Sequence, residues 1–96
     1  MEIEFDPPKD ARNQAKHGLS LADAERLDWD GIVAREDRRR NYGEQRMIGM
    51  SRIGKRLHVV VFTERGDAVR IISLRKANKR EVKDYEATQA RQPKRR

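Results

Sequence analysis

Cysteine is absent from the chain, which excludes disulfides and thiolate metal sites at once. Histidine occurs only as His17 and His58, neither in a cluster with carboxylates at metal-ligand spacing, so no metal and no other cofactor is expected. Aromatic residues are scarce at 5%, and no apolar run approaches the roughly 20 residues that cross a bilayer. With no signal-peptide pattern either, the sequence predicts a cytoplasmic protein without a membrane partner. Only 35% of residues are hydrophobic while 41% are charged, a mix close to that of disordered chains. The apolar residues fall in periodic blocks, however. That predicts one ordered domain over residues 1–90 with a thin core, followed by a basic, frayed tail over 91–96.

What the chain has in excess is positive charge. Its 23 Lys and Arg against 16 Asp and Glu leave +7, and the surplus is unevenly placed. Residues 75–96 hold nine basic and three acidic side chains, whereas residues 1–74 are nearly balanced at fourteen and thirteen. A basic C-terminal element attracts phosphate backbones or an acidic protein partner.

The pattern along the chain predicts the order β-α-α-β-β-β-β-α. Glu2-Ile3-Glu4-Phe5 alternates like a half-buried strand, and Asp6-Pro7-Pro8 ends it and starts a helix, with Asp6 as cap. That helix runs through Ala11, Ala15 and His17 to Gly18, an αL stop. Ser20 and Asp23 match a capping box for a second helix, whose buried stripe is Leu21, Ala24 and Leu27. Strands follow over 32–35, 45–51, 56–63 and 68–74, with turns at Ile53-Gly54-Lys55 and Arg65-Gly66-Asp67. A last helix over 79–90, capped by Asn78, turns Val82 and Tyr85 inward. Short loops between consecutive strands favour an antiparallel meander, hence an α+β fold with a single, mainly antiparallel sheet and helices against a face.

Between Thr63 and Ala77, arginines stand on a turn, on a strand and at the strand exit. Guanidinium groups on a β-ribbon suit phosphate, because each offers a planar fork of donors whose direction the sheet holds. Strict alternation places Arg70 with Ile72 and Leu74, and Ser73 with Arg75 on the opposite face, which argues against a single phosphate clamp. Arg65 reaches outward from its loop, while Arg70 must snorkel or pair with Glu44 or Glu64. Arg38-Arg39-Arg40 reads as a solvated turn. Two readings of His17 stay open: a proton-transfer or phosphate-contacting group beside Asn13, Lys16 and Lys9, or a side chain that interacts with the C-terminal carbonyls of its helix. His58, in phase with Val60 and Phe62, reads as a satisfied, partly buried histidine. RNA cleavage without a metal needs a base for the 2′-hydroxyl, cations for the phosphorane and an acid for the leaving oxygen. His17, Glu44, Glu64 and Tyr85 are the acid and base candidates.

Several segments in order resemble one family. Phe5-Asp6-Pro7 with Lys16-His17-Gly18, then Asp37 to Arg46 (DRRRNYGEQR) before Ile48-Gly49, then Thr63-Glu64-Arg65-Gly66 and Arg70-Ile71-Ile72-Ser73-x-Arg75-Lys76-Ala77 resemble BrnT toxins from residue 5 to about Tyr85. The resemblance implies a RelE-like fold and a bacterial type II toxin, a ribonuclease that cleaves RNA and arrests translation. It also implies neutralisation by a BrnA-type antitoxin with a ribbon-helix-helix domain, through which alone operator DNA is bound. Carried onto matching positions, it implies His17, Arg65, Arg70 and Arg75 as catalytic residues. Lys16, Ser73 and Lys76 would bind RNA, with Tyr42 and Glu44 in support; Lys79, outside the matching positions, is expected to add an RNA contact. One departure is Leu27-Asp28-Trp29-Asp30-Gly31, where the family commonly has an aromatic followed by Asp-Pro. A non-catalytic basic binding module and an inactive toxin remnant are the alternatives.

Overall fold

The computed structural model describes residues 1–91. Five strands form one mixed sheet in the order β1-β5-β4-β3-β2: β1 (Glu2–Phe5), β2 (Val33–Glu36), β3 (Met47–Ile53), β4 (Arg56–Arg65) and β5 (Ala68–Lys76). The meander β2 to β5 is antiparallel as the short loops require, but β1 pairs parallel to β5. A parallel neighbour cannot follow by a tight hairpin, and here helix α1 (Pro7–His17), the short helix after it and strands β2 to β4 all lie between β1 and β5 in the chain. Of the tail expected over 91–96, Arg91 instead ends helix α2 (Lys79–Arg91), and 92–96 lie outside the described residues.

The second predicted helix is a six-residue 3-10 helix, Leu21–Arg26. Its capping box forms as expected, with Leu21, Ala24 and Leu27 buried. Asp10 adds a tie that the periodicity did not show. Its carboxylate accepts from Leu21 N at 2.7 Å and Ser20 Oγ at 3.1 Å, and the Leu21 bond in particular lowers its pKa. Helix α1 stops at Gly18, whose φ of 72° is the left-handed conformation expected there. Asp6 occupies the N-cap position of α1 without capping through its side chain. Ala11 and Ala15 are exposed, and the buried residue of this helix is Asn13.

Two cores divide the sheet's faces. On the deep face Val60, Phe62, Val69, Ile71 and Leu74 pack against the short helix and Trp29. Trp29 stands edge-on to Phe62 at 5.3 Å and donates Nε1–H to Ala24 O at 2.8 Å. The loop at Asp28-Trp29-Asp30-Gly31 is pinned to β3 by Asp28 N to Arg52 O and by Ser51 Oγ to Asp28 O. On the other face Leu57, Val59 and Ala77 pack under Val82 and Tyr85 of α2, together with Ile48 and Met50. This second core covers only part of its face.

The alternation assumed for β5 fails at one place. Phe62 pairs with Ile71 and Val61 with Ser73, so Ile72 is an extra residue in a bulge. Before it Arg70 shares a face with its partner Thr63, and after it Ser73 and Arg75 share that face with Val61 and Val59. Leu74 therefore points into the deep core beside Val60, and Arg70 and Arg75 lie on the same face, not on opposite ones.

Candidate active site

That shared face, hereafter the arginine face, carries Arg65, Arg70, Ser73 and Arg75 from β4 and β5. It also carries Arg46, which in phase with Ile48 and Met50 lies just beyond β3. The residues form a line and not a ring. Arg70 and Arg75 are opposite Thr63 and Val59, about 13 Å apart along the sheet, and Arg65 lies roughly 20 Å from Arg75 at 3.3 Å per residue. Lys76 pairs with His58 and so projects from the deep face, while Lys79 is exposed at the start of α2.

Every arginine on this line has a carboxylate neighbour. Arg65 and Arg46 approach Glu44 at 3.3 and 3.6 Å, and Arg70 approaches Glu4 at 3.4 Å, a different partner from the expected Glu44 or Glu64. Arg75 is held by both oxygens of Glu81, each at 2.8 Å. The first three are partly exposed pairs of the kind worth about 0–1 kcal/mol, weak enough for a phosphate to displace. Nε of Arg46 and of Arg70 is buried without a hydrogen bond, so these two guanidiniums retain unused donors. The Arg75 pair is of another kind. The Arg75 hydrogen bonds hold the Glu81 carboxyl down at about 2.

His17 reaches this region through a local device. Once β1 has ended, the outer edge of β5 is open, and Asn13 closes it: its Oδ1 accepts from Leu74 N at 3.1 Å and its Nδ2 donates to Leu74 O at 2.9 Å. Nδ2 also donates to Leu19 O at 2.9 Å. A side-chain amide thus does the work of a neighbouring strand. His17, one helical turn after Asn13, is thereby brought near Arg75, the residue after Leu74. Burial lowers the His17 pKa, and the charges of Lys16 and Arg75 push it the same way, so the imidazole is neutral near pH 7. Lys16 is exposed at the same helix end. His58 is buried on the deep face with Nδ1 at 2.9 Å from Arg56 O, away from this region, and its pKa is lowered chiefly by burial.

The loop between β2 and β3 is a stitched element. Asp37 is buried and accepts from Arg39 Nε and Nη2, Arg39 N and Tyr42 Oη, while its own N–H donates to Arg46 O at 2.7 Å. The Arg39 hydrogen bonds keep the Asp37 carboxyl far below its usual range. Tyr42 in turn lies under the Arg46 guanidinium, 4.2 Å from the ring centroid. Arg39 is thus the clamp of this loop, not merely part of a solvated turn.

A family model described as "Ribonuclease toxin, BrnT, of type II toxin-antitoxin system" matches residues 5–81. The chain belongs to the BrnT family. It is accordingly a ribonuclease toxin of a type II toxin-antitoxin system, with RNA as substrate and an antitoxin as partner. A comparison with curated proteins finds no match. Among the described residues, no helix is long and apolar enough to cross a membrane.

For this BrnT member, sequence reasoning singled out Arg65, Arg70, Ser73, Arg75, Tyr42 and Glu44, which the fold sets along one face or its rim. It passed over Arg46, although the parity of Ile48 and Met50 extended by one step reaches it. It also passed over Glu81, for which Asn78 three residues earlier was the signal. Asn13 had no signal in its spacing, because its partner Leu74 is 61 positions away.

Proposed function

We propose that this chain is a metal-independent endoribonuclease of RelE-like fold that binds RNA along the arginine face and cuts it beside Arg75 and His17. The bulge at Ile72, which sets Arg70, Ser73 and Arg75 on one face, is the observation that carries this reading. Neutral His17 takes the proton of a ribose 2′-hydroxyl as its oxygen attacks phosphorus. The bond to the 5′-oxygen breaks, a proton reaches that oxygen from water, and a 2′,3′-cyclic phosphate remains. Arg75 neutralises the charge that builds on the phosphorane, while Arg70 and Arg65 hold the chain of phosphates further along. Ser73 and Lys16 add RNA contacts on this side, and Lys76 and Lys79 meet the strand only where it wraps past α2. Tyr42 and Glu44 support the loop and the Arg46 and Arg65 guanidiniums.

In the cell the activity arrests translation in the cytoplasm until a BrnA-type antitoxin covers the arginine face. The antitoxin's ribbon-helix-helix domain brings the pair to operator DNA. Purified chain incubated with RNA in EDTA should yield fragments ending in cyclic phosphate, and His17→Ala should slow their formation at least tenfold. Intact RNA from folded wild-type protein sinks the proposal. The carboxylate beside each arginine favours a second reading, a non-catalytic binding module. That reading requires RNA affinity that falls steeply with salt and yields no fragments.

A further inference from the structure

Glu81 does two jobs with one carboxylate. As the residue three after the cap, its N–H donates to Asn78 Oδ1 at 2.8 Å and its Oε1 accepts from Asn78 N at 2.9 Å, a capping box at the start of α2. A cap needs only that one oxygen. Yet both oxygens engage Arg75, with Nη1 on Oε1 and Nη2 on Oε2. The remaining bond of Arg75 runs from Nη1 to Lys76 O at 3.4 Å. A guanidinium has five N–H donors. These three bonds leave Nε–H and one Nη2–H, which lie parallel on one side of the group and form the fork that a phosphate accepts bidentately. The Arg75 side chain is one-third exposed, and its Nε, unlike those of Arg46 and Arg70, is not a buried unpartnered nitrogen.

We propose that Glu81 is a positioning residue for RNA cleavage: by occupying the end of the Arg75 guanidinium it fixes the free side fork toward the scissile phosphate next to His17. The inference rests on the reading of the arginine face given above. It adds that the first turn of α2 belongs to the catalytic apparatus.

Glu81→Gln separates the two jobs. Glutamine serves a capping box as well as glutamate, but it has no charge and sets an amide NH2 against one guanidinium nitrogen. Glu81→Gln should lose the stability of the ion pair but stay folded, while kcat for RNA cleavage per folded molecule falls roughly ten- to a hundredfold with KM little changed, the cost of a misplaced catalytic group. In an Arg75→Ala background the same change should have no further effect on kcat. The guanidinium NMR signals of Arg75 should be resolved and slowly rotating in the wild type and averaged in Glu81→Gln. Unchanged or faster cleavage by Glu81→Gln overturns the proposal, as does a loss of melting temperature that accounts for the whole loss of rate. Averaged Arg75 signals in the wild type overturn it whether or not RNA is cut. Absence of cleavage by the wild type sinks the nuclease site itself, and the NMR result still decides the positioning role.

Discussion

The two faces of the sheet are built to different standards. On the deep face Leu21, Ala24, Val60 and Leu74 have no exposed surface, and a tryptophan closes the layer. On the arginine face the apolar core is limited to the strip under α2. The rest is occupied by guanidiniums with carboxylate neighbours. The contrast teaches where the chain keeps its stability and where it can place charge. A protein with 35% hydrophobic residues cannot cover both faces, and the face it leaves uncovered is the one available to phosphate.

Mutations on opposite faces should therefore separate stability from activity. Leu21→Ala, in the deep core, should lower unfolding free energy by about 2–5 kcal/mol in a denaturant titration. Arg75→Ala should cost less stability, about 1.5–3 kcal/mol with the loss of its charge-assisted hydrogen bonds to Glu81. It should slow RNA cleavage by roughly a hundredfold, as loss of a transition-state donor does. If Arg75→Ala instead unfolds the protein and leaves the rate per folded molecule intact, the division between the faces is wrong.

Acidity should weaken the protein in two steps. Both histidines have folded pKa values lowered from 6.5, so below that pH the unfolded chain takes up protons first. Stability is complete above pH 6.5 and declines as pH falls below it. His58→Gln, on the deep face, should flatten that slope more than His17→Gln, because His58 is the more deeply buried. The second step belongs to the carboxylates. Glu81 is held at about 2 against an ordinary 4.5, so the stability it contributes is present above 4.5 and is lost as pH falls toward 2. Thermal melts across this range follow both steps. The smallest effect should come from Tyr42→Phe, which keeps the ring under Arg46 and removes one hydrogen bond to Asp37. A loss of about 0.5–1.5 kcal/mol is expected, read as a modest fall in melting temperature.

Local signals were legible where one short stretch of chain carries the whole reason. Gly18 ends α1, Ser20 and Asp23 close their capping box, and Asn78 caps α2, all as read from sequence. The second helix came out as a 3-10 helix, because six residues with a reciprocal cap are satisfied by the tighter turn. The β1 partner was the clearer miss. Glu2-Ile3-Glu4-Phe5 reads as a strand, but nothing in those four residues says that it lies parallel to β5. Candidate residues divide in the same way: arginines were found by type, and their partners were not, since Glu4 and Arg70 meet only across that parallel pair.

The sequence by itself determined the element types, the turns, the excess of positive charge and, through the resemblance, the family. Those follow from residue chemistry acting over a few positions. Only the tertiary structure decided that Ile72 bulges, that Arg70 and Arg75 therefore share a face, and that Asn13 brings His17 to them. The reason is physical. A bulge is the way β5 keeps both Ile71 and Leu74 in the deep core, and that demand comes from packing partners far away in the chain.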